Sequence, residues 1–419
     1  MRYGIFPQLR CSKNTLLLLL LMNKTGKSIK ILHVIHIGGI GGAEKLLLQL
    51  LPALQPETIV ECLVIHRHSA ADKAVSEIAS GLNAMNVKVH TVGYSSLFRN
   101  EVMPKIMKVI ADGRFDIVHS HLKYADTWLA WLKLRGKLRL PVVTTVHSFR
   151  DEYESRFGIA VAPALYRSAY YWVTRFIYRR FQGFVLISEV IDRFTKEAKL
   201  IKKTQASAVI PHGYRTHENA GLQKHPAGRQ GGIAVPGRLL ARKGQHLAIE
   251  ALQHLDIAGT PILLHLYGEG PAKDDLQRLT QRLGLVDQVI FHGYVTNLPE
   301  RLSEAAVVVI PSLSEAFGLV FLDAFAAGTP VVAFDVPASN EIVVHGQSGL
   351  LAGKADPVAL AAAIREILVN PQVGEKLTAG ASERLATVYA MGRMTQSYIQ
   401  LYQTVIDKYG ARPNHRDAK

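Results

Sequence analysis

The chain has 419 residues, of which 48% are hydrophobic and 20% charged, with a formal net charge of +15. That length exceeds one ordinary core and suits two domains, and the composition is globular rather than disordered or fibrous. Two cysteines, Cys11 and Cys62, cannot form a disulfide framework, so the small disulfide-scaffold class is excluded and a reducing compartment is expected.

The charge is unevenly spread. Residues 1–213 hold 30 Lys and Arg against 15 Asp and Glu, whereas residues 214–419 hold 19 of each. A basic first half suits an anionic surface such as phospholipid headgroups, a phosphorylated glycolipid or nucleic acid. No recognised nucleic-acid motif accompanies the charge, so nucleic acid is not expected as a partner.

Residues 1–28 read as a leader, disordered or ahead of a later true start at Met22. The apolar run from Leu16 to Met22 is too short to span a bilayer, and no good cleavage site follows it. No other segment is long and apolar enough to be transmembrane. The expected location is cytoplasmic, with any membrane contact peripheral and on the inner face.

Ile29–Ile37 reads as an apolar strand. The turn Gly38-Gly39-Ile40-Gly41-Gly42 follows, then a helix from Lys45 to about Leu54. Strand, glycine turn and helix is the layout of a phosphate or nucleotide site, but the spacing meets neither a dinucleotide fingerprint nor a Walker loop. On its own the turn fits a ligand-free tight turn equally well.

Further strands are expected at 59–65, 87–92, 116–119, 142–146 and 183–187, separated by helical stretches, as in a doubly wound parallel sheet. His119, His121 and His147 fall at the C-terminal ends of strands, where ligands collect in open α/β sheets. His119 and His121 share a strand face, which admits a metal reading. No carboxylate or thiol partner has suitable spacing, so no metal is expected. Leu165 to Phe181 alternates rings with arginines, the composition of either an interfacial helix against an anionic bilayer or a core helix with a basic edge. Ser188 follows a strand. Pro211-His212-Gly213 marks a domain boundary, and residues 214–232 read as a linker.

The second domain opens with a strand at 233–235. Arg238 and Lys243 then flank a strand-to-helix turn beside glycines, where a guanidinium fork and an ammonium can converge on one diphosphate. Strands at 262–266 and 289–292 lead to Gly268 and Tyr294. Val307–Ile310 is a buried strand, followed by a polar turn with Glu315, a helix of about three turns carrying Asp323, and Gly328 as its stop. Eight positions of helix separate carboxylates by roughly 12 Å. Between these two, the free amides of Gly318, Leu319 and Val320 open a helix N-terminus suited to a diphosphate. Taken alone, the two acids also fit an ordinary α/β unit. Helices fill the chain to about 408, and 409–419 is a tail.

Four motifs in the second half stand in order: Gly237-Arg238 with Lys243-Gly244, Glu315-x7-Asp323, Glu341-Ile342-Val343, and Gly346-x-x-Gly349-Leu350-Leu351. This set resembles the retaining GT-B glycosyltransferases of family 4, also called glycosyl transferases group 1, over roughly residues 29–408. The resemblance implies two Rossmann-like doubly wound domains facing across a cleft. Residues 29–213 would take the acceptor, 233–385 the nucleotide-sugar, and 386–408 would cross back to the first domain. It implies that Arg238 and Lys243 neutralise a leaving nucleoside diphosphate, that Glu315 orients the donor sugar, that Asp323 holds the ribose, and that His147 lies near the anomeric carbon. Gly41, Gly42, Gly268 and Tyr294 would also approach the donor. His119, His121 and Ser188 would face the acceptor or the cleft.

The implied donor is UDP- or GDP-linked, with no cofactor. The implied acceptor is a glycan or lipid-linked glycan of cell-envelope polysaccharide or lipopolysaccharide synthesis. A sugar-nucleotide 2-epimerase of the same fold and a non-catalytic nucleotide-sugar-binding protein are the alternatives. Two positions depart from the family pattern: Asp323 stands where Glu is usual, and His212 where Asn is frequent.

Overall fold

A computed structural model describes residues 28–39, 41–68, 72–95, 101–148, 154–155, 158–161, 168–215, 231–257, 259 and 261–410. The leader up to residue 27, most of the linker, residues 165–167 of the aromatic run and the tail beyond 410 lie outside these residues.

Two parallel sheets carry the fold. The first has the order β3-β2-β1-β4-β5-β8-β9, built from β1 (Lys30–Ile37), β2 (Ile59–Arg67), β3 (Lys88–Tyr94), β4 (Ile117–His121), β5 (Val142–Val146), β8 (Gly183–Leu186) and β9 (Ala206–Val209). A short antiparallel pair, β6 (Glu154–Ser155) and β7 (Gly158–Val161), stands apart from it. The second sheet has the order β12-β11-β10-β13-β14-β15. It comprises β10 (Ile233–Pro236), β11 (Leu264–Tyr267), β12 (Val289–Gly293), β13 (Val307–Ile310), β14 (Val331–Phe334) and β15 (Leu350–Ala352). The central strands are buried because helices cover both faces of each sheet; β13 is an unbroken apolar run, whereas β1, β4 and β5 also bury His33, His119, Ser120, His121, Thr144 and Thr145. Val142–Val146 and Val307–Ile310 are buried throughout.

The site's position is set by this topology. In the first sheet β1 pairs with both β2 and β4, and in the second β10 pairs with both β11 and β13. Each is a point where strand order reverses and a crevice opens beyond the strand ends. The glycine turn after β1 and the loops after β10 and β13 leave these two crevices.

Seven helices shape the cleft and its surroundings: α1 (Gly42–Leu54), α2 (Lys123–Leu134), α3 (Ala169–Tyr178), α4 (Glu189–Glu197), α5 (Leu319–Ala326), α6 (Ser339–Ile342) and α7 (Met391–Tyr409). The last of these crosses back to the first domain: Tyr398, Tyr402 and Val405 are buried in one cluster with Ile31, Ile35 and Leu50. Helix α1 begins earlier than its apolar pattern suggests, because Glu44 Oε2 accepts the Gly41 amide at 2.9 Å and fixes the first turn. Helix α5 is shorter than expected, at eight residues. Gly318 sits at φ 97° before it and Gly328 at φ 64° after it, and neither left-handed position continues a helix. Strands β9 and β15 are not legible as strands in the sequence, being four- and three-residue segments at sheet edges. Among the described residues, no helix is long and apolar enough to cross a membrane.

Candidate active site

One wall of the inter-domain cleft is built where the loops after β10 and β13 meet. A 3-10 turn, Ala241–Lys243, ends at Gly244 with φ 67°. A Cβ at Gly244 would lie 1.8 Å from the Pro311 carbonyl oxygen, so only glycine lets the two loops touch. The Leu313 amide donates to the Arg242 carbonyl at 2.8 Å and locks them together. This contact brings Lys243 Nζ onto Glu315 Oε1, and Ser312 Oγ donates to the same carboxylate oxygen at 2.8 Å. The Glu315 side chain is 5% exposed and that of Lys243 18%. Both therefore act in a medium that screens charge poorly.

The facing wall comes from the first domain. Gly42, Leu122, His147, Ile187 and His212 enclose, with Arg242, Lys243, Glu315 and the start of α5, a cleft of about 810 Å³. A Cβ at Gly42 would stand 3.6 Å from Leu319 Cδ1, so the glycine turn faces the α5 N-terminus with room for about one methyl group between them. His147 Nε2 lies 3.4 Å from His121 Nδ1, and His121 Nε2 lies 2.9 Å from His33 Nδ1. The His212 ring stacks at 6.2 Å from that of His147 and meets Phe317 edge-on at 4.7 Å. Burial pulls His147 down to about 4 and His212 down to about 3, so both are neutral imidazoles at pH 7. A neutral ring offers one donor and one acceptor, which suits hydroxyl recognition.

Two polar contacts join the domains beside the cleft. Ser188 caps α4, accepting the Ile191 amide at 3.3 Å, and its hydroxyl donates to the Ala316 carbonyl at 2.6 Å. Glu341, from α6 of the second domain, accepts the Glu189 and Val190 amides at 2.9 and 2.8 Å, capping the same α4 N-terminus from across the interface.

The remaining expected site residues are more dispersed. Arg238 is exposed in the loop leaving β10, where its carbonyl accepts from Gln245, and it does not line the cleft. Arg242 lines the cleft instead. Gly268 has φ 144°, and a Cβ there would lie 2.1 Å from the Gly237 carbonyl oxygen, so it serves loop-to-loop contact. Tyr294 is 64% exposed, with Lys45 Nζ 5.7 Å from its ring centroid. Val320 is half-buried in the first turn of α5. Asp323 is hydrogen-bonded to Tyr214, with Lys45 near enough to favour its charge; burial outweighs both and pushes its carboxyl up to about 6.

His119 lies outside the cleft. It is wholly buried, with Nδ1 2.5 Å from Tyr402 Oη and Nε2 2.8 Å from Thr145 Oγ1, and so it ties α7 to the first sheet. His33, His119 and His121 each offer a nitrogen within 4.8 Å of the others. Their rings are near-parallel, with interplanar angles of 24°, 16° and 10°, and His33 and His121 meet through the 2.9 Å contact of their ring nitrogens. The motifs of the sequence do not single out Arg242, His212, Ser312 or Lys45 as site residues. The signals they do carry are the adjacency of Arg242 to Lys243 and the departure at His212.

Residues 40–218 match the family described as Glycosyltransferase Family 4, and residues 223–384 match Glycosyl transferases group 1. Together the two matches take in the second sheet and every strand of the first except β1. The chain belongs to the GT-B glycosyltransferases of this group.

Among curated relatives, the chain is 34% identical over 172 residues to the lipopolysaccharide core biosynthesis glycosyltransferase LpsD of Rhizobium meliloti, a match covering 41% of this chain and 49% of that protein. It is 24% identical over 304 residues to the alpha-D-kanosaminyltransferase of Streptomyces kanamyceticus, covering 69% and 77% of the two chains. In fold it is similar to Anabaena Alr3699/HepE, solved with UDP and glucose, at a TM-score of 0.72 and 20% identity over 90% of this chain and all of that one. The GT-B architecture accounts for the two sheets, the cleft between them and the returning α7.

Proposed function

We propose that this GT-B protein is a retaining glycosyltransferase that moves a sugar from a nucleoside-diphosphate donor to an anionic glycan or glycolipid of the cell envelope. The observation that carries this reading is the contact of Lys243 with Glu315 at the N-terminus of α5, facing the neutral His147 across the cleft. A diphosphate in the cleft would meet the Lys243 ammonium and the α5 amides, which offset the charge growing on the leaving group. Freed from Lys243, the Glu315 carboxylate would accept hydrogen bonds from donor-sugar hydroxyls. Asp323 would hold the ribose and Tyr294 the base, with Arg238 swinging in from the rim.

In the reaction the bond from the anomeric carbon to the diphosphate oxygen breaks, and a bond to the acceptor oxygen forms on the same face. The acceptor's proton passes to the departing phosphate. Protein cations do the neutralising, so the proposal includes no metal or cofactor. UDP complexes of HepE support a UDP-linked donor, and LpsD supports a lipopolysaccharide-type acceptor.

Peripheral membrane contact belongs to the same proposal. Helix α3 leaves Trp172, Val173 and Phe176 exposed, and the neighbouring α2 leaves Trp131 and Leu134 exposed. The Arg180 guanidinium lies 3.4 Å from the Phe176 ring centroid. Exposed rings beside arginines suit an anionic interface.

A thermal-shift panel of UDP, GDP, ADP and CMP with the matching nucleotide-sugars, on wild type and Glu315→Ala, tests the donor assignment. One nucleoside diphosphate should raise the midpoint by mass action, and its sugar form should lose its extra shift in Glu315→Ala. No shift with any of them would overturn the reading.

A further inference from the structure

A second group of rings stands at the same edge of the first sheet, beside the cleft and outside it. His36 lies near the end of β1, Tyr94 ends β3, and Tyr124 and Trp128 lie one turn apart on α2. His36 Nε2 is hydrogen-bonded to Tyr94 Oη at 2.9 Å. The His36 ring lies 4.7 Å from that of Tyr124 and 5.8 Å from that of Trp128, while Tyr94 meets Trp128 edge-on at 5.7 Å. Trp128 and Tyr94 are 9% and 2% exposed, but Tyr124 is 49% exposed. The cluster is therefore a fixed floor carrying one open ring.

Its placement depends on a strained residue. Leu122, between His121 and α2, has φ 68° and ψ 158°, a region that non-glycine residues occupy only when their surroundings impose it. Leu122 lines the cleft, and two residues later Tyr124 stands in the ring cluster. The cleft and the ring cluster thus share the α2 N-terminus as a wall.

A half-exposed tyrosine backed by buried rings offers a flat apolar face with a hydroxyl at its edge. A pyranose has the matching character: one face of C–H groups and a rim of hydroxyls. Burial lowers His36, which keeps its imidazole neutral; Nε2 is taken by Tyr94 and, among the described residues, Nδ1 remains for one hydrogen bond with a sugar hydroxyl.

We propose that the open face of Tyr124, backed by His36 and Trp128, binds a pyranose ring of the acceptor. That the sugar belongs to an acceptor rests on the transferase reading; the sugar site rests on the rings alone. It lies on the first domain, opposite the side on which the nucleotide would sit.

Saturation-transfer NMR on the full chain, with the methyl α-D-pyranosides of glucose, galactose and mannose as probes, tests the site in wild type, Tyr124→Ala and Tyr124→Phe. At least one pyranoside should bind wild type and keep binding in excess UDP. Its affinity should fall about tenfold in Tyr124→Ala, a loss equal to about 1.4 kcal/mol, and stay near wild type in Tyr124→Phe, which keeps the ring. Failure of all three pyranosides to bind wild type, unchanged binding in Tyr124→Ala, or displacement by UDP would each overturn the proposal. The thermal midpoint of each variant checks its fold. Absence of nucleotide binding in wild type would strike the transferase reading instead, leaving the sugar site to its own result.

Discussion

Lys243 Nζ and Glu315 Oε1 meet across a gap of 72 residues in sequence, and both are largely hidden from solvent. Each neutralises the other until a ligand arrives. Among the described residues, Lys243→Met would leave Glu315 to the Ser312 hydroxyl, and breaking a buried ion pair by removing one partner costs roughly 3–5 kcal/mol. We expect a lower urea midpoint in Lys243→Met, and transferase activity reduced on the order of 10²-fold. Glu315→Gln should lower activity comparably while binding the nucleoside diphosphate at least as well, because it releases Lys243. Isothermal titration against UDP and GDP distinguishes the two variants.

Glu341 caps a helix of the other domain, so its removal should loosen the domains rather than either core. Losing such a cap costs about 0.5–2 kcal/mol. Glu341→Ala should show faster proteolysis in the cleft-side loops and a larger radius of gyration by small-angle scattering, with little change in secondary structure. An unchanged radius together with an unchanged midpoint would remove the latch from the account.

The histidine cluster should make the protein acid-labile. Burial takes His33 down to about 3, His147 to about 4 and His212 to about 3, with His119 and His121 held well below 6.5. The unfolded chain therefore takes up more protons on these rings as pH falls through 6.5. Each ring removes up to about 1.4 kcal/mol per pH unit. Asp126 and Asp323, both pushed up to about 6 by burial, act in the opposite sense between 6 and 3.8. Five rings outweigh two carboxyls, so urea unfolding should show stability level above pH 7 and falling between pH 6.5 and 4. A flat profile would contradict the neutral stack.

Asp323 should couple donor binding to pH. Its raised carboxyl loses charge near pH 6, and Tyr214 and Lys45 both favour the ionised form. Under the proposed ribose contact, nucleoside diphosphate affinity falls as pH drops through 6, and Tyr214→Phe moves that midpoint upward. Asp323→Asn should bind about tenfold more weakly at pH 7.5 and lose the dependence. A pH-independent affinity in wild type would free Asp323 from the ribose.

Neutralising Arg179 and Arg180 together should weaken sedimentation with vesicles containing anionic lipid while leaving UDP binding intact. Equal sedimentation with neutral and anionic vesicles would count against the interfacial reading of α3.

Much of the fold is legible because its signals are local. Val307–Ile310 reads as a buried strand from four consecutive residues, and glycines at 244, 318 and 328 mark turns through their own backbone freedom. The order of Arg238, Lys243, Glu315 and Asp323 along the chain announces the family for the same reason. Strands β9 and β15 escape because three or four residues at a sheet edge carry too little pattern.

The linear order of residues thus carries the alternation of strands and helices, the two domains and the ordered motifs. Which side chains converge is a matter of packing. Arg242 rather than Arg238 lines the cleft because the loop after β10 is pinned to Pro311 and Leu313. His119 is drawn into the core because α7 brings Tyr402 to it from 283 residues away. Such outcomes depend on contacts between segments distant in sequence, and periodicity along a single segment holds no record of them.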